Sequence, residues 1–177
     1  NYFNPNLRLI RDMPKPVVAA VNGAAAGAGA NIALACDIVL AARSAKFLQA
    51  FARIGLIPDA GGSWSLPRLV GPARARGLAM LAEPIGAETA EEWGLIWKAV
   101  NDDSLMAEAQ ETAMKLANGP TLGLALTKQA MLAAATNSLE EQLLLEEQVQ
   151  ARAGASDDYR EGVSAFLEKR PAKFSGR

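Results

Sequence analysis

A lone carboxylate, Asp59, stands in the stretch GLIPDAGGSW, residues 55–64, with apolar residues before it and a glycine pair after it. An apolar loop disfavours the charged form of a carboxylate by desolvation, which raises its pKa and suits it to take up and return protons near neutral pH. An aspartate ahead of Gly-Gly and a helix also fits an N-cap or a turn residue. The second stretch with chemical potential is NGAAAGAGAN, residues 22–31. Its small residues let a backbone approach a ligand closely, and N–H groups exposed where a helix begins can bind a developing negative charge, as an oxyanion hole does. The same run also fits tight helix packing. It is not a dinucleotide fingerprint: Gly27 and Gly29 give G-x-G, but Ile32 holds the third glycine position and no acidic residue lies about 20 positions further on. No Gly-Lys-Ser/Thr follows that would make it a phosphate loop.

Composition narrows the chemistry further. The chain has no histidine, which excludes Ser-His-Asp and Cys-His catalysis within it and removes the commonest transition-metal ligand. Proton transfer must rest on a carboxylate, Lys, Tyr, Cys or water, and no metal or other cofactor is expected. Charged residues make up 21% of the sequence and nearly cancel, leaving a formal net charge of −1. No sequence-wide field therefore directs the protein toward nucleic acid or a membrane surface. The single cysteine, Cys36, excludes an internal disulfide and reads as a small buried hydrophobe, in keeping with a reducing cytoplasm. No apolar run approaches the roughly 20 residues that span a bilayer. The chain opens on Asn1 without a Met, and we expect it to be the later part of a longer protein.

The elements that must position these stretches follow from pattern. With 177 residues, half of them apolar, one substantial core is expected. KPVVAAVNG reads as a buried strand ended by the Asn22-Gly23 turn, AAAGAGANIALAC passes into helical spacing, DIVLAA is a second strand and KFLQAF a third. Beyond Gly61 helices dominate, with IWKAV as one more short strand. Pro72 lies near a helix N-terminus, and Thr89 with Glu92 and Ser138 with Glu141 match the capping-box spacing. Three helices complete the chain after Asn118-Gly119-Pro120. Their apolar positions Leu139, Leu143, Leu144 and Val149 suit either a subunit interface or this chain's own core. The expected class is α/β, with the site on loops at strand ends.

Four blocks in order, KPVVAAVNGAAAGAGANIALACDIVLAA, GLIPDAGGSWSLPRLVG, AEEWGLIWKAV and DDYREGVSAFLEKRPAKF, resemble the enoyl-CoA hydratase/isomerase, or crotonase, superfamily across essentially the whole chain. Within it, NGAAAGAGA, ARSAKF and GLIPDAGG together with the C-terminal block are most similar to members that isomerise an aromatic ring-epoxide CoA thioester in phenylacetate degradation. The resemblance implies a spiral of β-β-α turns over residues 1–119, lacking the family's first strands, and a helical region over 120–177 that builds trimers, often paired into hexamers. It implies an acyl-CoA substrate, an oxyanion donor at the backbone N–H of Ala28 flanked by Gly27 and Gly29, and a first donor on the missing strands. The two glutamates of the hydratases are replaced by Asn31 and Phe51, and the acid of several isomerases falls on Asp59. One carboxylate suits an isomerase, whereas adding water calls for an acid and a base. Phe166 and Lys169, three apart on an expected helix, match positions that reach the CoA of a neighbouring subunit, or else are a core phenylalanine and a surface lysine. Trp64, near Asp59 in sequence, either lines an acyl pocket or packs. A straight-chain 3-enoyl-CoA isomerase is the alternative activity, followed by a hydratase and a non-catalytic acyl-CoA-binding protein.

Overall fold

A computed structural model describes residues 3–177, which separate into two compact units. The first holds residues 3–11 and 17–111, and the second residues 12–16 and 112–177.

In the first unit the chain runs α1 (Phe3–Asp12), β1 (Val18–Val21), β2 (Ala24–Ala26), α2 (Ala28–Leu34), β3 (Ile38–Ala42), β4 (Lys46–Leu48), a 3-10 helix (Ala50–Ile54), α3 (Gly62–Leu81), β5 (Ile85–Gly86), α4 (Ala87–Glu92), β6 (Lys98–Val100) and the start of α5 (Leu105–Ala117). The strands deal themselves between two sheets. One has the order β1-β3-β6 and is parallel throughout; the other has the order β2-β4-β5, with β4 and β5 antiparallel. The central strand β3 is buried along most of its length, which is why DIVLAA reads as a continuous apolar run without alternation. Leu34, Val39, Leu40, Phe47, Leu66, Val70, Leu78 and Leu105 belong to one continuous core. Each fully buried Leu of that set stabilises the unit by about 1.5–3 kcal/mol relative to exposure.

Three expectations are corrected here. Ala24–Ala26 forms β2 and not the head of a helix, because its ladder with β4 supplies what its alanine sequence does not. The strand expected over KFLQAF stops at Leu48 and gives way to the 3-10 helix. Helix α4 starts at Ala87 from an extended Gly86, so Thr89 lies inside it and makes no capping box. Opening residues to which the sequence assigned no element form α1. Within α3 the backbone breaks at Gly71 (φ 77°, ψ 163°), and Pro72 opens the second segment as its position predicted.

The second unit carries the rest of α5 with α6 (Thr121–Ala133), α7 (Leu139–Gly154) and α8 (Asp157–Glu168). Ser138 and Glu141 form the expected capping box. Val149 is buried, so it serves this chain's own packing, whereas Leu139, Leu143 and Leu144 are exposed. The tail folds back on α8: buried Asp158 accepts from the N–H groups of Ser175 (2.6 Å) and Gly176 (3.0 Å). Glu161 accepts from Arg170 (2.6 Å) and from the Lys173 N–H (2.7 Å). The Arg170 guanidinium first, and the Lys173 amide second, lower the Glu161 carboxyl from 4.5 to about 2. The folded value lies below the unfolded one, so this contribution is complete above pH 4.5 and is lost as pH falls toward 2. We expect the hydrogen-exchange protection of the Lys173 amide to drop across that acid range; protection that stays flat would show that Glu161 does not hold the tail.

Candidate active site

The candidate site residues cluster where the end of β4, the head of α2 and the turn at Asp59 meet. Gly27 sits between β2 and α2 with φ 54° and ψ −127°, a conformation that suits glycine alone. Its N–H donates to the Leu48 carbonyl (2.8 Å), and its own carbonyl accepts from Asn31 N–H (3.2 Å). A Cβ on Gly27 would also meet the Phe51 ring at 3.6 Å. Gly27→Ala should therefore destabilise the protein by about 1–3 kcal/mol through backbone strain, read as a lowered midpoint in urea; an unchanged midpoint would show that this turn relaxes freely. Ala28 heads α2, so its N–H has no intrahelical acceptor. A Cβ at Gly29 would meet nothing within 4 Å.

Asp59 opens a tight turn. Its carbonyl accepts from the Gly62 N–H (2.9 Å) and from Asn31 Nδ2 (2.8 Å). Asn31 stands one helical turn beyond Ala28, so the acid's backbone is tied to the helix that carries the expected oxyanion donor. The side chain of Asp59 is nevertheless exposed, as are its neighbours Leu56 and Ile57. The apolar enclosure expected around it is not formed by the described residues. Loop residues that are apolar in sequence here face outward and desolvate nothing.

Asn31 (1% exposed) and Phe51 (7% exposed) are both buried. Trp64 lines a cavity of about 590 Å³ together with Leu7, Arg8, Arg11, Asn31 and Gly61. Two guanidinium groups stack over its ring, Arg68 at 4.1 Å and Arg11 at 4.4 Å from the centroid, and these cation–π contacts hold the indole in its half-exposed position. Phe166 is 83% exposed. Lys169 does not share a helix face with it: α8 ends at Glu168, and Lys169 caps it in the left-handed region (φ 53°). Both residues belong to the second unit. Sequence reasoning missed Gln49, buried at 3% and donating through Nε2 to Asn31 Oδ1 (2.8 Å). A buried amide beside a small-residue loop carries no motif that would have flagged it. Among the described residues, no group of three or more His, Cys, Asp or Glu is placed to hold a metal ion.

The family model for enoyl-CoA hydratase/isomerase matches residues 1–177. The chain belongs to the enoyl-CoA hydratase/isomerase family. Relatives of this family include the 1,2-epoxyphenylacetyl-CoA isomerase of Escherichia coli K12, 57% identical over 176 residues, which covers 99% of this chain and 67% of that protein. A Rhodobacter capsulatus protein named "Probable enoyl-CoA hydratase" is also 57% identical, over 175 residues, covering 99% of this chain and 68% of the relative. Among solved structures, an enoyl-CoA hydratase from Polaromonas sp. JS666 superposes with a TM-score of 0.94 at 40% identity, over 97% of this chain and 67% of that one. The two interleaved sheets and their helices are thus the crotonase fold of the enoyl-CoA hydratase/isomerase family. The chain spans about two thirds of the length of these relatives.

Proposed function

We propose that this protein is an isomerase of CoA thioesters that moves protons with a single carboxylate, Asp59, while an oxyanion hole at Ala28 holds the thioester carbonyl. The observation that carries the reading is the make-up of the site. Asn31 and Phe51, at the two positions where hydratases of the family keep glutamates, cannot exchange a proton, and Asp59 is an acid whose backbone carbonyl accepts from Asn31 of the α2 helix. On a 3-enoyl thioester, Asp59 takes a proton from C2, the negative charge spreads onto the carbonyl oxygen, and the same proton returns at C4 to leave a 2-enoyl product. Each oxyanion donor contributes about 3 kcal/mol to that step. The family's first donor lies, on this reading, on strands outside this sequence.

The 57% identity with a 1,2-epoxyphenylacetyl-CoA isomerase supports the ring-epoxide thioester as the physiological substrate, converted to the seven-membered oxepin in phenylacetate catabolism. A straight-chain 3-enoyl-CoA isomerase is the second reading, and the equally similar relative named as a hydratase makes hydration the competing class. The full-length protein should be offered the ring-epoxide thioester, 3-hexenoyl-CoA and crotonyl-CoA in turn, with products read by NMR. Isomerisation of the first two without hydration of the third is expected; hydration of crotonyl-CoA as the fastest reaction would overturn the proposal.

Supporting a subunit interface are the exposed apolar side chains of the helical region 120–177, among them Leu139, Leu143, Leu144 and Phe166. On this reading the protein is a homotrimer or hexamer, with Phe166 and Lys169 turned toward a neighbouring subunit's CoA and Trp64 against the acyl group. Light scattering of the full-length protein that returned a monomer mass would remove this part. A cytoplasmic location is likewise our reading, from a single cysteine and no helix, among the described residues, long and apolar enough to cross a membrane.

A further inference from the structure

Asn31 is almost completely buried, and none of its side-chain bonding capacity is spent on its own helix. Its Nδ2 donates to the Asp59 carbonyl at 2.8 Å, and its Oδ1 accepts from Gln49 Nε2 at 2.8 Å. The direction of this chain is dictated from its end. A backbone carbonyl can only accept, so Asn31 must present its amide nitrogen to Asp59, and its oxygen is left for Gln49, which must then turn its own nitrogen inward. That orientation leaves Gln49 Oε1 buried with no hydrogen-bond partner among the described residues. A buried acceptor left over is destabilising, so the arrangement is not what packing alone would select. The space is equally particular. A Cβ on Gly62 would fall 2.2 Å from Asn31 Nδ2 and 2.7 Å from its Cγ, so the amide lies flat against the backbone that follows Asp59. At the other end, Gln49 follows Leu48, whose carbonyl accepts the Gly27 N–H. One line of side-chain bonds therefore joins the strand end that fixes Gly27, the helix headed by Ala28 and the turn that bears Asp59.

We infer that Asn31 is a positioning residue, locked in one orientation by Gln49, that sets the location of the Asp59 carboxylate relative to the Ala28 amide. This rests on the reading of Asp59 as the proton carrier. An ionised carboxylate at position 31 has no donor for the Asp59 carbonyl, so the two-glutamate arrangement and this clamp exclude one another at that position. The clamp is thus a determinant of which chemistry the site performs.

The test is a double-mutant cycle in the full-length protein with 3-hexenoyl-CoA as substrate. Asn31→Asp keeps the volume and the acceptor for Gln49 while removing the donor to Asp59. It should lower kcat by about tenfold to a hundredfold with KM little changed, because a misplacement on the order of 1 Å carries losses of that size. In an Asp59→Asn background the same substitution should lower kcat no further, since it acts through Asp59. Gln49→Met, which frees the Asn31 amide to turn, should follow the same pattern with a smaller, severalfold loss, and it serves if Asn31→Asp does not fold. The inference is overturned if Asn31→Asp and Gln49→Met keep the parent kcat, or if their losses recur in full without Asp59. Should Asp59→Asn itself retain the parent kcat, the proton-carrier reading fails and this inference with it; a collapse in Asp59→Asn beside an untouched Asn31→Asp removes the inference alone.

Discussion

Asp59→Asn is expected to lower kcat for double-bond migration by about 10²–10⁴-fold, the usual contribution of a positioned acid–base group, while KM stays close to that of the parent. Asparagine matches the aspartate in size and leaves the backbone bonds from Gly62 and Asn31 to the residue 59 carbonyl in place, so the turn should keep its shape. A fall in kcat alone marks an interaction needed in the transition state, whereas a rise in KM alone would mark ordinary substrate binding. Steady-state rates on 3-hexenoyl-CoA decide between them. A kcat within a factor of a few of the parent would leave the site without a proton carrier and return Asp59 to the role of a turn residue. The exposure of its side chain sharpens this test, because burial within this chain cannot be what fits it for the task.

The second large effect is expected at Gly62. Gly62→Ala places a Cβ 2.2 Å from an amide nitrogen that has nowhere to go, since Asn31 is buried and held at both ends. Overpacking of this kind destabilises by about 1–3 kcal/mol, which for a chain of this size lowers Tm by roughly 2–4 °C per kcal/mol. Thermal unfolding followed by circular dichroism reads the loss. Removing the obstacle with Asn31→Ala in the same chain should restore part of the Tm while leaving kcat low. A Gly62→Ala protein that melts at the parent temperature would mean that the Asn31 amide is not pressed against this backbone.

Legibility in the sequence varied with how local the cause was. Strand β3 and helix α7 were readable because apolar runs and a Ser-x-x-Glu cap state their own conformation. Strand β2 was not: Ala24–Ala26 has no strand propensity of its own, and its extended form is imposed by β4, whose paired residues lie 22 positions further on. Thr89 and Glu92 carried a local signal that lost to a tertiary one, since the antiparallel pairing of β5 with β4 fixes where α4 begins. At the site, the sequence named Asp59, Ala28, Gly27 and Asn31, but it treated Asn31 only as an acid that is missing. Its work as a hydrogen-bonding link depends on Gln49 and on the Gly62 backbone, contacts that no spacing rule connects. The apolar surroundings imagined for Asp59 failed for a related reason: Leu56 and Ile57 are apolar by type, but a loop does not enclose what its own side chains turn away from.

The dealing of strands between two sheets bears on how the chain acquires its shape. Partners in a ladder lie far apart in the chain: Val18 meets Ile38, Lys46 meets Gly86 and Leu40 meets Lys98. No hairpin can form early and hold its place while the rest arrives, because every pairing must first close a long loop and meet its entropy. Such non-local connectivity slows folding relative to a helical bundle of equal size. The β1–β3 ladder, with the shortest closure, is the natural first step, and β6, whose partner strand is β3, must close a longer loop to join the same sheet.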